Sequence, residues 1–230
     1  MTDNIAQTFA AAVAADPTRP LLTWYDDATG ERTELSGATL DNWVAKTANL
    51  LVDSVGLAPG DSAAVLLPPH WQTAAVLLGC WSAHVSVVWG PPRPVDVLFV
   101  AAGRIGEAEA WPAGDRYVLG LAPLAAPMRD VPPGFADYVT EVRAHGDHFT
   151  PQPGGGPQDA ELGWRAARRA AELGMGTGDR VLIDVARHPD PVDWLLAPLC
   201  VGASVVLCGN LDPARLADRV AAEKVSVTLA

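Results

Sequence analysis

The segment "VGLAPGDSAAVLLP" leads through a helical pattern into "SVVWG", and "LGMGTGDRVLIDVA" leads through another into "SVVLCG". The chain repeats itself. Gly56, Gly60, Asp61 and Ser86 of the first copy correspond to Gly174, Gly178, Asp179 and Ser204 of the second. In each copy a glycine-ended helical stretch turns through Gly-Asp into an apolar strand, then a helix, then a second apolar strand. That order is the βαβ rhythm of a parallel sheet covered by helices. The predicted fold class is therefore α/β, with two pseudo-repeated βαβ-containing lobes. Residues 1–148 are assigned to the first lobe, with an N-terminal helix and hairpin, and 149–230 to the second.

The elements around the repeat follow from local pattern. "TFAAAVAADPTRP" has helical spacing and stops at Asp16-Pro17. "LLTWYDD" and "ERTELS" read as strands joined by the hairpin signal "DATG". Leu40, Val44, Ala48, Leu51 and Val55 form a helical stripe after Ser36, closed by Gly56. "VDVLFVAA" and "RYVLGLAPL" read as strands, "GFADYVTEVRAHG" as a short helix, and "DPARLADRVAAEK" then "VSVTLA" as a last helix and strand. The link "GPPRP" between "VSVVW" and "VDVLFV" is too short for a crossover between adjacent parallel strands. Those two strands are antiparallel or not neighbours.

Charge and cysteine usage exclude several classes. A formal net charge of −11 repels nucleic acid and anionic membranes, so neither is expected as a partner. From Ser62 to Pro92 no Asp, Glu, Lys or Arg occurs, but Pro68 and Pro69 interrupt the run, which fits strand–turn–helix–strand better than a membrane span. Cys80, Cys200 and Cys208 lie in apolar runs with no C-x-x-C pair, as expected of reduced packing thiols in a cytoplasmic protein. The start lacks a basic signal-peptide region. No metal site is expected: His145, Asp147 and His148 in "RAHGDHF" are close together, but no further ligands of the right type stand nearby.

"PLLTWYDDATGERTELS", the helix after it, "G-x-x-P-G-D" as "GLAPGD", and the strand "VLLP" together resemble the opening of the AMP-binding, or acyl-adenylate-forming, enzyme superfamily. "GTGDRVLIDVARHPDPVDWLLAPLCVGASVVLCG" resembles that superfamily's second lobe. The resemblance covers most of the chain and is weakest from about 90 to 145. It implies the N-terminal subdomains of an adenylate-forming enzyme. The later motifs of the superfamily (adenine contact, ribose-binding Asp, hinge and a C-terminal catalytic lysine) would follow "VSVTLA", so the chain is expected to be a truncated member.

By position, "HFTPQPGGGPQDAELGW" falls where the superfamily carries its phosphate loop. The resemblance assigns Thr150, Gly154, Gly155 and Gly156 to a degenerate nucleotide-binding site. The loop's hydroxyls are few, no lysine is near it, prolines 151, 153 and 157 lack N–H donors, and Asp159 brings negative charge. A plain connector is the stronger reading, beside a residual anion site at a helix N-terminus. "TGD" at Thr177–Asp179 spells the superfamily's ribose motif, but its place in the repeat makes it a helix-to-strand turn. The resemblance also makes His188 a candidate ligand residue, because the superfamily often keeps a histidine by its acyl pocket near this position; a simple turn position before Pro189 is the other reading. Arg165, Arg168 and Arg169 form a basic face that reads as solvated or as an anion contact. Trp71, Trp81 and Trp89 could line an acyl cavity but more often fill a core.

The functional expectation is a non-catalytic relative of AMP-dependent synthetases, with no catalytic residues, acting in binding, scaffolding or regulation. The alternatives are a split or altered acyl-activating enzyme needing a partner chain, or a small-ligand carrier for an acyl group or nucleotide. No cofactor is expected beyond residual binding of ATP, AMP or acyl-CoA. An apolar edge at "VSVTLA" predicts a homodimer or a heteromeric contact through the C-terminal lobe.

Overall fold

The computed structural model describes residues 4–151 and 154–230. The chain divides into two compact units, and the division is not the linear one expected at 148/149. One unit contains residues 1–40, 69–71 and 160–230, and the other residues 41–68 and 72–159. The N-terminal helix and hairpin thus belong with the C-terminal third. The reason lies in β-pairing.

The first unit is built on a five-stranded sheet. The hairpin strands β1 (Pro20–Asp26) and β2 (Glu31–Ser36) pair antiparallel, with Trp24 opposite Thr33. The later strands β8 (Arg180–Asp184), β9 (Ser204–Gly209) and β10 (Val227–Leu229) are all parallel. β1 joins β9 in parallel, Leu22 opposite Val205, giving the order β10-β8-β9-β1-β2. All six residues of β9 are buried, so the apolar run "SVVLCG" needs a strand on each side. The hairpin supplies one of them, which draws residues 20–36 into this sheet. Helix α6 (Asp159–Glu172) buries Leu162, Ala166 and Ala170, one face at helical spacing.

The second unit contains β3 (Ser62–Leu66), β4 (Ser86–Val88), β5 (Val95–Ala101), β6 (Ala113–Leu119) and the two-residue β7 (Ala136–Asp137). Their order is β4-β3-β5-β6-β7, and every pairing is parallel. β4 and β5 are therefore not neighbours. They lie on opposite sides of β3, with Ser62 opposite Ser86 and Ala63 opposite Val97. "GPPRP" can make this return because β4 has only three residues, a length of about 10 Å. Five of the seven β5 residues in an unbroken run from Val97 are buried, and Phe99 stacks on Tyr117 at 5.5 Å and meets Tyr138 edge-on at 6.0 Å.

Helix α2 (Gly37–Asn49) runs on through a π-helical turn at Leu50–Ser54, and α3 (Trp71–Ser82) and α5 (Tyr138–Arg143) also appear where the sequence places them. Gly56 and Gly174 end their helices at φ +78° and +69°, a left-handed conformation that glycine adopts at little cost. The charge-free run from Ser62 to Pro92 forms β3, α3 and β4. Among the described residues no helix is long and apolar enough to cross a membrane. Cys80 and Cys208 are buried, Cys200 is half-buried and all three are free. Burial pushes the Cys80 thiol up to about 12.

Candidate functional site

The glycine run lies in the second unit, immediately before α6, and its chemistry is decided by the two residues that follow it. Gly154 is exposed with φ +100°. The N–H of Gly156 donates to Asp159 Oδ2 at 2.7 Å, and the N–H of Asp159 donates back to the Gly156 carbonyl at 3.2 Å. Asp159 is only 2% exposed. A carboxylate here is favoured twice: it accepts the N–H of a turn residue just ahead of the helix, and it sits at the positive end of the helix dipole. The chain's own carboxylate thus takes the position where a glycine loop at a helix start would hold an external anion.

Gln158 anchors the same loop. Its Oε1 accepts the Val87 N–H at 2.8 Å, and its Nε2 donates to the Val87 carbonyl at 2.8 Å. Val87 lies on β4, an edge strand of its sheet. The glutamine amide therefore supplies the hydrogen bonds a further strand would have made. Of the other residues assigned to the site, Thr150 and Gly155 are exposed and Gly156 is half-buried. Gln152 and Pro153 fall outside the described residues.

His188 belongs to the first unit, not to the unit that carries the glycines. Its Nδ1 lies 3.1 Å from Asp193 Oδ2. Arg169 grips the same carboxylate with a fork, Nε to Oδ1 at 2.7 Å and Nη2 to Oδ2 at 3.0 Å. Burial pushes the Asp193 carboxyl up, but the hydrogen bonds from Arg169 and His188 outweigh it and hold the group below the usual carboxylate range. Arg165 pairs with Asp190 at 3.2 Å and Arg168 with Glu172 at 2.7 Å. These residues line an open groove of about 470 Å³. Each arginine that sequence reasoning offered to an anion already faces an acid of the chain.

Elsewhere the structure separates what sequence proximity suggested. Asp179 of "TGD" accepts the Gly176 N–H at 2.6 Å and forms the turn expected of it. His145 Nε2 meets Ser54 Oγ at 3.1 Å, and its carbonyl accepts from Lys46 Nζ at 2.5 Å. Among the described residues no group of three or more potential metal ligands occurs. Trp71 and Trp81 are buried, and Trp89 is 42% exposed.

One residue that sequence reasoning passed over is His70. It is buried in the first unit between Trp24, at 4.8 Å between ring centroids, and Trp71, at 5.7 Å. Burial drives its imidazole down to about 3, so it is neutral at physiological pH. Its signal in sequence was only a histidine inside a charge-free run.

A family model described as "AMP-binding enzyme" matches residues 9–93. A protein of Mycobacterium tuberculosis (strain ATCC 25618 / H37Rv), named "TIGR03089 family protein", is 45% identical over 227 residues, covering 94% of this chain and 93% of that relative. Among solved structures, an acyl-CoA synthetase of Brucella canis aligns with a TM-score of 0.73 at 18% identity, covering 98% of this chain and 46% of the synthetase. The N-terminal domain of FACL13 from Mycobacterium tuberculosis aligns at 0.65 with 15% identity, covering 98% of this chain and 62% of that domain. The chain thus spans less than two thirds of either solved structure. At these identities the likeness to the solved structures is one of fold.

Proposed function

The chain belongs to the AMP-binding superfamily and to the family of that mycobacterial relative, and from this premise we propose that it is a non-catalytic member, a binding or scaffolding protein that forms no acyl adenylate. The observation that carries this reading is the 2.7 Å bond between the Gly156 N–H and the Asp159 carboxylate. A triphosphate approaching the loop finds the Gly156 N–H already taken by the chain's own buried carboxyl group. Each lost charged contact at a site of this kind removes about 3 kcal/mol of transition-state stabilisation, so several lost together remove orders of magnitude in rate.

The chain's cations are few or already engaged. Lys46 and Lys224 are the chain's two lysines, and Lys46 is bonded to the His145 carbonyl. The arginines at the start of the second βαβ copy are paired with Asp190, Asp193 and Glu172. The test is pyrophosphate exchange with ATP and a panel of short, long and aromatic carboxylic acids, with a known synthetase as positive control. Exchange at background level for every acid is expected. Exchange well above background by the purified chain overturns the reading.

A further inference from the structure

The first unit carries a protruding aromatic side chain beside a hollow floored by small residues, and we propose that this face pairs two copies of the chain across a twofold axis. Helix α1 (Ile5–Ala15) contains no charged residue. A surface helix ordinarily turns charged or polar side chains to water, yet Ala10, Ala11, Ala14 and Ala15 are exposed. Ala11, Ala12 and Ala15, with Ala160 and Gly163 of α6, line a hollow of about 480 Å³. Trp164 stands at its rim and is 60% exposed. Tryptophan is the side chain most enriched among residues that dominate interfaces.

A second copy is the occupant because the surface complements itself. Glu161, Trp164 and Arg168 are spaced three and four residues apart, which puts them in one stripe on α6. Two α6 helices laid antiparallel, with the twofold axis beside Trp164, bring Glu161 of each copy against Arg168 of the other. Each Trp164 then reaches the small-residue hollow of the other copy. An isologous interface requires this pairing of knob and hollow on one patch. Arg168 already lies over the Trp164 ring, 5.6 Å from its centroid, so it stands beside the knob; its pair with Glu172 leaves the side chains 64% and 43% exposed, and such surface pairs contribute little. The net charge of −11 opposes association, and physiological salt screens the part of that repulsion acting beyond about 8 Å.

The inference is independent of whether the chain is catalytic. Sedimentation equilibrium of the full chain across the micromolar range tests it. A dimer that dissociates on dilution is expected, and Trp164→Ala weakens it about 30-fold or more. Arg168→Glu alone also weakens the dimer, and Glu161→Arg combined with Arg168→Glu restores it. Circular dichroism checks that the weakened variants remain folded, and if Trp164→Ala does not fold, the charge swap decides. A wild-type chain that stays monomeric at the highest concentration overturns the proposal. So does a dimer that is indifferent to both the tryptophan and the charge variants, which would pair through another face or with another chemistry.

Discussion

The carbonyl of Asp179 accepts the backbone N–H of Ser204 at 2.9 Å, and the same bond joins Asp61 to Ser86 at 2.7 Å in the other copy of the repeat. The aspartate side chains also act alike. Asp179 Oδ2 accepts from Gly176 N at 2.6 Å and Asp61 Oδ2 from Ala58 N at 2.8 Å. Replacing either carboxylate by alanine leaves a turn N–H without its charged acceptor, at a cost of about 1–2 kcal/mol. Asp179 additionally accepts from Ser226 Oγ at 2.7 Å. Asp179→Ala is therefore expected to lower the urea midpoint more than Asp61→Ala, and the reverse order would contradict the assignment.

His70 makes stability fall with acid in a window of its own. The unfolded chain takes up a proton near pH 6.5, whereas the folded chain, because of burial, resists until about 3. The unfolded state thus binds more protons below pH 6.5, and stability declines as pH drops, with a slope approaching about 1.4 kcal/mol per pH unit. Urea unfolding measured between pH 7 and pH 5 tests this. His70→Gln is expected to flatten the slope, and an equally steep variant would show that another group is responsible.

Glu223 acts at lower pH. Burial raises its carboxyl, but hydrogen bonds from Tyr25, Arg180 and Arg32 outweigh that and hold it at about 2. Tyr25 Oη donates to Oε1 at 2.6 Å, Arg32 Nη2 reaches it at 2.9 Å, and Arg180 closes on Oε2. A depressed folded value means stability is present above the unfolded value of about 4.5 and lost as pH falls towards 2. Glu223→Gln leaves the half-buried Arg180 without its anion, and a loss of about 2 kcal/mol at pH 7 is expected. The variant's stability should also vary less between pH 5 and 3.

Gly79 marks a close approach inside the second unit. A Cβ there would lie 2.6 Å from Cβ and Cγ2 of Thr47. Thr47 cannot turn aside freely, since its Oγ1 bonds the Trp43 carbonyl and the Tyr138 hydroxyl, each at 2.7 Å. Overpacking of this kind costs about 1–3 kcal/mol, more than the roughly 1 kcal/mol of helix propensity that alanine adds. Gly79→Ala is expected to lower the melting temperature, and a variant as stable as the parent would mean the helices can shift apart.

Much of the fold was legible because it rests on short-range interactions. The "DATG" hairpin, the stripe from Leu40 to Val55 and the two Gly-Asp turns are set by residues within a few positions of one another, so periodicity and turn chemistry identify them. The site was legible in part. The absence of a lysine and the presence of Asp159 could be read directly, and Asp159 reaches only three residues back to Gly156. The bond from Gln158 to Val87 could not be read, because nothing local marks a glutamine as the partner of an edge strand.

The sequence by itself determined the parallel α/β class, the doubled Gly-Asp unit and the failure of the glycine loop to carry a cation, since each depends on residue type and spacing alone. Only the tertiary structure decided that Leu22–Asp26 pair with Val205–Gly209, that β4 and β5 flank β3, and that His70 is buried between Trp24 and Trp71. Those outcomes depend on which distant segments cover a strand that must be buried on both sides. Burial is non-directional, so several partners satisfy the same local pattern until the whole chain competes for the place.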